Sequence, residues 1–410
     1  MLTSLKTALE ATPLVYIGRD CERAIGLLNT TGYYIITNTS PLSTTLLKKA
    51  SAGITIDEGR LLDTYELLQH KKTKKFLNAL SRPRIVVFKN TPQIEEICEK
   101  NKWQLVNPSA TLGSLIEEKL SQLQWLGELA RYLPPHKVVQ GKNLVWEGEP
   151  YIVQFNRAHT GTGTALITSE ITVTLLQKKF PERELRVTKY ISGPSFTNNN
   201  VVWGRHILVG NINYQITGLE PFTANPFATV GNDWALPKKL LTPKQKSKFT
   251  EIAEAVGNKL ILSGWKGLYG IDVIVDDTSG LLYLIEINAR QPASTTYESQ
   301  LQKSPLEGGV GDVGVTTFEA HLSALLNIPY TEEQLISISN GAQLVKRIIT
   351  TGEKITKKKI TELTKLGLHT ISYTNTDPGS DLLRIQSANS FTEGHTTLNK
   401  LGKKIQKILE

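Results

Sequence analysis

The residues best placed to do chemistry lie in one stretch, GIDVIVDDTSGLLYLIEINAR, from Gly270 to Arg290. Two apolar runs flank DDTSG, which reads as the turn of a β-hairpin. Strand side chains alternate with period two, so Asp272 is set apart from Ile271, Val273 and Val275, while Leu284, Glu286 and Asn288 fall on one face. Pairing across the turn brings Asp272 to that face. Two carboxylates and an amide oxygen are hard ligands, and Asp272, Glu286 and Asn288 suit Mg²⁺, which takes a few protein oxygens and keeps its other positions for water and phosphate. A solvated polar strand face would use the same residue types. Leu281, Leu282, Leu284 and Ile285, however, make the second strand apolar on both faces, and a buried carboxylate needs a partner or a metal.

The elements that must hold this hairpin are also legible. Pro13–Gly18 reads as a strand, Asp20–Gly32 as a helix, Tyr33–Thr39 and Arg84–Phe88 as strands, and TPQIEEICEKN as a helix with Pro92 in its first turn. A last strand closes at Pro108. Strands alternating with helices predict a small parallel sheet, and without a GxGxxG after Gly18 a dinucleotide site is not indicated. Residues 109–133 read as helical until PPHKVV breaks the pattern, which places a boundary between 108 and 109. A helix is expected over Thr242–Ser263. The Pro- and Gly-containing FTANPFATVGNDW reads equally as a mobile lid or as an ordinary surface loop, and residues 331–410 as a small α+β extension.

Composition sets outer limits. At 410 residues the chain exceeds one ordinary core, so two or three packed units are expected. Only Cys21 and Cys98 are present, without His partners at metal spacing, so neither a disulfide framework nor a zinc site is indicated. No apolar run reaches the ~18 residues of a membrane span, and a cytoplasmic protein is expected. The net charge of +9 favours an anionic partner. The basic run Lys354–Lys359 lacks interleaved aromatics, so a solvated face is favoured over a nucleic-acid patch; a nucleoside triphosphate also suits a basic cleft.

The hairpin resembles the metal-binding core of the ATP-grasp superfamily, which carries an acidic residue on one strand and Glu-x-Asn followed by a basic residue on the next. Upstream segments follow the family's order. Lys119 in EEKLSQLQWLGELARYLPP matches a nucleotide-binding lysine on a helix, PYIVQFNRAHTGTGTALI a strand and glycine-rich loop with Gly161 and Gly163, and RVTKYISGP the adenine hinge, giving Lys189, Tyr190 and Ile191. The resemblance implies an α/β chain: a Rossmann-like pre-ATP-grasp domain over 1–108, an ATP-grasp fold of two α+β subdomains over 109–330, and the carboxy-terminal α+β extension over 331–410. It also implies Mg²⁺ (or Mn²⁺) on Asp272, Glu286 and Asn288, ATP phosphates near Lys119, Gly161 and Gly163, and Arg290 and Lys119 stabilising the transferring phosphoryl group. Gln291 and Ser294 are expected to face the substrate.

The implied reaction activates a carboxylate as an acyl phosphate with Mg-ATP and passes it to an amine of an amino acid or peptide, with ADP released. The partners are then small-molecule carboxylate and amine substrates, and a homo-oligomer is compatible with this reading. The alternatives are a bicarbonate-activating enzyme of the carboxylase or carbamoyl-phosphate type and a non-catalytic ATP-binding regulator. Two departures stand out. Gln154 occupies the place of a phosphate-contacting lysine, with Arg157 or His159 as the expected compensation, and Thr188 and Ser195 stand where acidic ribose contacts are usual, with Asn198, Asn199 and Asn200 as substitutes.

Overall fold

The computed structural model describes residues 2–50, 52–156, 163–303, 314–331 and 333–410. Near the amino terminus, β1 (Leu14–Ile17), β2 (Tyr33–Asn38), β3 (Gly53–Ile56), β4 (Arg84–Val86) and β5 (Gln104–Leu105) form a parallel sheet in the order β3-β2-β1-β4-β5. All four side chains of β1 are buried because both faces are covered. Val15 and Ile17 meet one layer of helices, while Leu14 and Tyr16 pack toward Phe318 and Leu322 of the helix Thr317–Leu325. The helix expected over Asp20–Gly32 is instead a short 3₁₀ helix, Cys21–Leu27, followed by Asn29 at φ 66°. Cys21 and Cys98 are both free and buried.

Residues 109–133 do not make one helix. The helices Ala110–Glu117 and Ser121–Leu126 are separated by a turn, and a 3₁₀ helix, Gly127–Tyr132, follows. Next comes an antiparallel sheet of β6 (His136–Gln140), β7 (Tyr151–Phe155), β8 (Thr164–Ile167) and β9 (Glu184–Lys189), ordered β6-β9-β7-β8. It has its own core of Tyr151, Val153, Ile167, Leu185 and Val187, covered by Val173 of the helix Glu170–Lys179.

The largest sheet contains β10 (Ser195–Trp203), β11 (His206–Leu208), β12 (Asn213–Thr217), β13 (Thr229–Asp233), β14 (Gly267–Val275), β15 (Leu282–Asn288), β16 (Ala342–Arg347), β17 (His369–Ser372) and β18 (Asp381–Ser387). Its order is β15-β14-β10-β12-β13-β16-β18-β17, with β11 beside β10. Strands from both sides of residue 331 therefore share one sheet, joined by the antiparallel pairing of β13 with β16, and Phe196, Ile271, Leu344 and Ile385 share one core. The helix Pro243–Leu262 lies on that core. Thr242 and Gln245 form a capping box at its start, Pro243 sits where a missing N–H costs nothing, and Phe249, Ile252, Ala253, Val256 and Leu260 form the buried stripe.

The segment expected to be a lid or surface loop is part of this core. Phe222 is fully buried, Thr229–Asp233 is an interior strand, and one carboxylate oxygen of Asp233 accepts hydrogen bonds from the Ser390 and Thr392 hydroxyls and from the Phe391 and Thr392 amides. Gly231, which suggested a loop, marks close strand pairing: a Cβ there would lie 2.3 Å from the carbonyl oxygen of Gln343. Among the described residues, no helix is long and apolar enough to cross a membrane.

Candidate active site

The geometry of the β14–β15 hairpin depends on one irregularity. Val275 pairs with Leu282 and Val273 with Leu284, all on the core face, but the next residue of β14, Asp272, pairs with Glu286. Ile285 is thus the extra residue of a β-bulge, and it reverses the alternation of the second strand. Leu284 stays in the core, whereas Glu286 and Asn288 turn to the face that carries Asp272. The simple period-two reading put Leu284 and Glu286 on one face; the bulge separates them.

Asp272, Glu286 and Asn288 are brought together. Asn288 Nδ2 lies 3.5 Å from a carboxylate oxygen of Asp272, and Asn288 itself is buried. Burial, reinforced by the neighbouring charge of Glu286, pushes the Asp272 carboxyl up to about 6, against hydrogen bonds from Thr197 and Gln215. Burial acts on Glu286 in the same sense, but the Lys119 ammonium and Arg290 guanidinium outweigh it and hold Glu286 below the ordinary carboxylate range. Among the described residues no three His, Cys, Asp or Glu side chains are grouped so that they could hold a metal ion, so any metal here would take two carboxylates and the amide oxygen.

A ring of alternating charge surrounds the pair. Lys119 Nζ donates to Glu286 Oε1 at 3.0 Å. It does so from the turn between two helices rather than from a helix; Asn156 holds that turn, its Oδ1 accepting the Leu120 amide at 2.9 Å. Arg290 Nη1 donates to one oxygen of Glu117, whose other oxygen accepts from Lys89 Nζ at 2.5 Å. Across the cleft is a cation that the sequence reading passed over, Arg186 on β9. It is 1% exposed, and burial pushes it down to about 10 while the charge of Glu286 acts in the opposite sense. Its Nε donates to Gln154 Oε1 at 2.8 Å and its Nη1 to Gln122 Oε1 at 3.1 Å.

Lys189, Tyr190 and Ile191 join the small sheet to β10. Ile191 is buried, whereas Lys189 and Tyr190 stay open to solvent. The linker is tied to the end of the hairpin by Asp277 N–H to Ser192 O at 2.9 Å and Val275 N–H to Pro194 O at 3.0 Å. Gly193 is required there: its φ is +146°, and a Cβ would stand 1.9 Å from Val275 O. Gly163 closes the near end of the glycine-rich loop, its carbonyl accepting the Phe155 amide at 2.9 Å. Arg157, His159 and Gly161 lie outside the described residues.

Several expected contacts are not made. Gln154 is buried against Arg186 and is not presented to the cleft. Asn198 and Asn200 bond each other and Gly210, and Asn199 bonds Ser294 and the buried Glu298, so all three are fully enclosed and none is placed for a ribose. Gln291, expected to face a substrate, is 1% exposed and fastens the hairpin to the amino-terminal sheet: it accepts from Tyr16 Oη at 2.8 Å, donates to Arg23 O at 2.9 Å, and its amide donates to Phe88 O at 3.0 Å. Ser294 is buried with Asn199. Polar residues after an active strand look like substrate contacts in sequence, and here they serve packing between layers.

Known proteins share the fold described above. Residues 116–294 match the family model of an ATP-grasp domain. No curated protein sequence matches the chain. Among solved structures, N5-carboxyaminoimidazole synthetase from Staphylococcus aureus complexed with ADP is similar over 97% of this chain and 96% of that one, with a TM-score of 0.63 and 14% identity. N5-carboxyaminoimidazole synthase from Aspergillus clavatus, in complex with ADP and 5-aminoimidazole ribonucleotide, is similar over 98% of both chains, with a TM-score of 0.64 and 14% identity. L-amino acid ligase from Bacillus licheniformis is similar over 97% and 96%, with a TM-score of 0.64 and 12% identity. Such identities speak for the fold. The family match spans the residues that build the site, so residues 116–294 of this chain are similar to an ATP-grasp domain.

Proposed function

We propose that this chain is a ligase that uses Mg-ATP to activate a carboxylate as an acyl phosphate and joins it to an amine, releasing ADP. The observation that carries the reading is the bulged hairpin, which sets Asp272, Glu286 and Asn288 on one face beside Lys119 and Arg290. The donor set fits a hard divalent cation: burial, with the adjacent charge of Glu286, holds the Asp272 carboxyl up at about 6, and a cation between the two carboxyls would favour its ionised form. The basic side chains around them fit a triphosphate.

Bound Mg-ATP supplies an electrophilic γ-phosphorus. The protein's part is positioning and charge. Lys119 and Arg290 bracket Glu286 and place positive charge where a transferring phosphoryl group carries negative charge, and Glu117 fixes Arg290 from behind. Tyr190, open to solvent, and the buried Ile191 are the residues that would meet an adenine. The S. aureus protein, by name an N5-carboxyaminoimidazole synthetase, and the B. licheniformis protein, by name an L-amino acid ligase, support carbon–nitrogen bond formation.

Glu286→Gln and Asn288→Ala are expected to abolish ADP release while the circular-dichroism spectrum stays that of the wild type, since only the metal ligands change. Wild-type turnover in either variant would end the proposal. ADP release measured across amino-acid mixtures, with and without bicarbonate, separates an amine ligase from a bicarbonate-activating enzyme.

A further inference from the structure

Gln154 stands where the resemblance places a phosphate-binding lysine, and the structure shows what it does instead. It lies on β7 directly opposite Arg186 of β9, and the two side chains bond at 2.8 Å. Gln122 grips the same guanidinium from the helix Ser121–Leu126; its own amide nitrogen donates to Ile116 O at 2.8 Å, which turns its oxygen toward Arg186. Arg186 is therefore held in the plane of two neutral carbonyl oxygens. Neither partner carries charge, and its Nη2 donates to none of the described residues. A guanidinium enclosed without a directly bonded counter-ion is costly, and an anion arriving to pair with it relieves that cost. Glu286 is near enough for its charge to act on Arg186, and that of Arg186 on Glu286.

We propose that Arg186 supplies the phosphate-binding charge that a lysine at position 154 would otherwise provide, with Gln154 and Gln122 as positioning residues that aim its guanidinium at the ATP phosphates. This rests on the ATP-dependent reading above. Arginine differs from lysine here in presenting a planar fork, so two oxygens of a phosphate chain can be held at once. Arg157, the compensating cation expected from sequence, is then not needed for the exchange of charge.

The test is calorimetric binding of ATP, with Mg²⁺, and of adenosine, which shares the base and ribose and lacks phosphate. Wild type binding ATP supports the parent reading on its own, whatever the variants do, and wild type without ATP binding overturns both. Arg186→Met is expected to weaken ATP by about ten- to a hundredfold and to leave adenosine within about twofold. The double variant Gln154→Lys with Arg186→Met is expected to return ATP affinity to within about threefold of wild type. ATP affinity unchanged in Arg186→Met, or ATP and adenosine weakened alike, overturns the proposal. If Arg186→Met does not fold, the double variant decides alone: near-wild-type ATP affinity supports the exchange, and a loss of about tenfold or more with adenosine intact overturns it.

Discussion

Glu117 touches no reacting group in this arrangement, yet it holds both Arg290 and Lys89. Glu117→Gln keeps the shape and removes the charge that fixes the Arg290 guanidinium. The expected outcome is a drop in kcat of about ten- to a hundredfold with ATP affinity within about threefold, because positioning of a transition-state contact is lost while ground-state binding is spared. Equal losses in both would assign Glu117 to binding. The metal-face residues were legible because a strand is periodic and carboxylates on an apolar strand are conspicuous. Arg186 was not: in ELRVTK it reads as one more charge on an alternating strand, and its enclosure depends on Gln122 and Gln154, which reach it from two other elements.

The bulge at Ile285 lets the hairpin carry an extra residue and remain a site. Deleting Ile285 removes the extra residue and leaves Leu284 opposite Val273 and Glu286 opposite Asp272 in unbroken alternation, so Glu286 and Asn288 keep the face that carries Asp272. Wild type at a hundredfold excess of Mg-ATP over its Kd gains about 2.7 kcal/mol of stability. The deletion variant is expected to keep a rise in melting temperature with Mg-ATP, and the absence of any rise would show that the facing of Asp272, Glu286 and Asn288 is not what binds it. The bulge left no sign in the sequence, since Ile285 is as apolar as its neighbours and a bulge is a property of pairing. The misread lid or loop has the opposite cause: Pro226 and Gly231 look like loop punctuation, and only the β16 partner, more than a hundred residues onward in the chain, turns Thr229–Asp233 into an interior strand.

Across the whole molecule, one buried carboxyl ties three segments together. Glu298 is fully enclosed, accepting from Asn199, Asn211 and Thr317, and burial pushes it up to about 7. Its folded value lies above the ordinary 4.5, so its contribution is complete below about 4.5 and is lost as pH rises through 7. The difference in unfolding free energy between wild type and Glu298→Gln is expected to move against wild type by about 3 kcal/mol from pH 4.5 to 7.5. A pH-independent difference in denaturant titrations would refute this. The parallel amino-terminal sheet and the hairpin were readable from alternation alone, whereas the joining of strands on both sides of residue 331 into one sheet was not, because pairing between distant strands leaves no local mark. That same pairing has a consequence for a chain still being made. When β13 leaves the ribosome, β16 has not been translated; at about 5–20 residues per second its partner follows only after about 5–20 seconds. Throughout that interval the nascent protein carries an open sheet edge, and a polypeptide stalled between β13 and β16 keeps it permanently, a ready template for the strand of another chain.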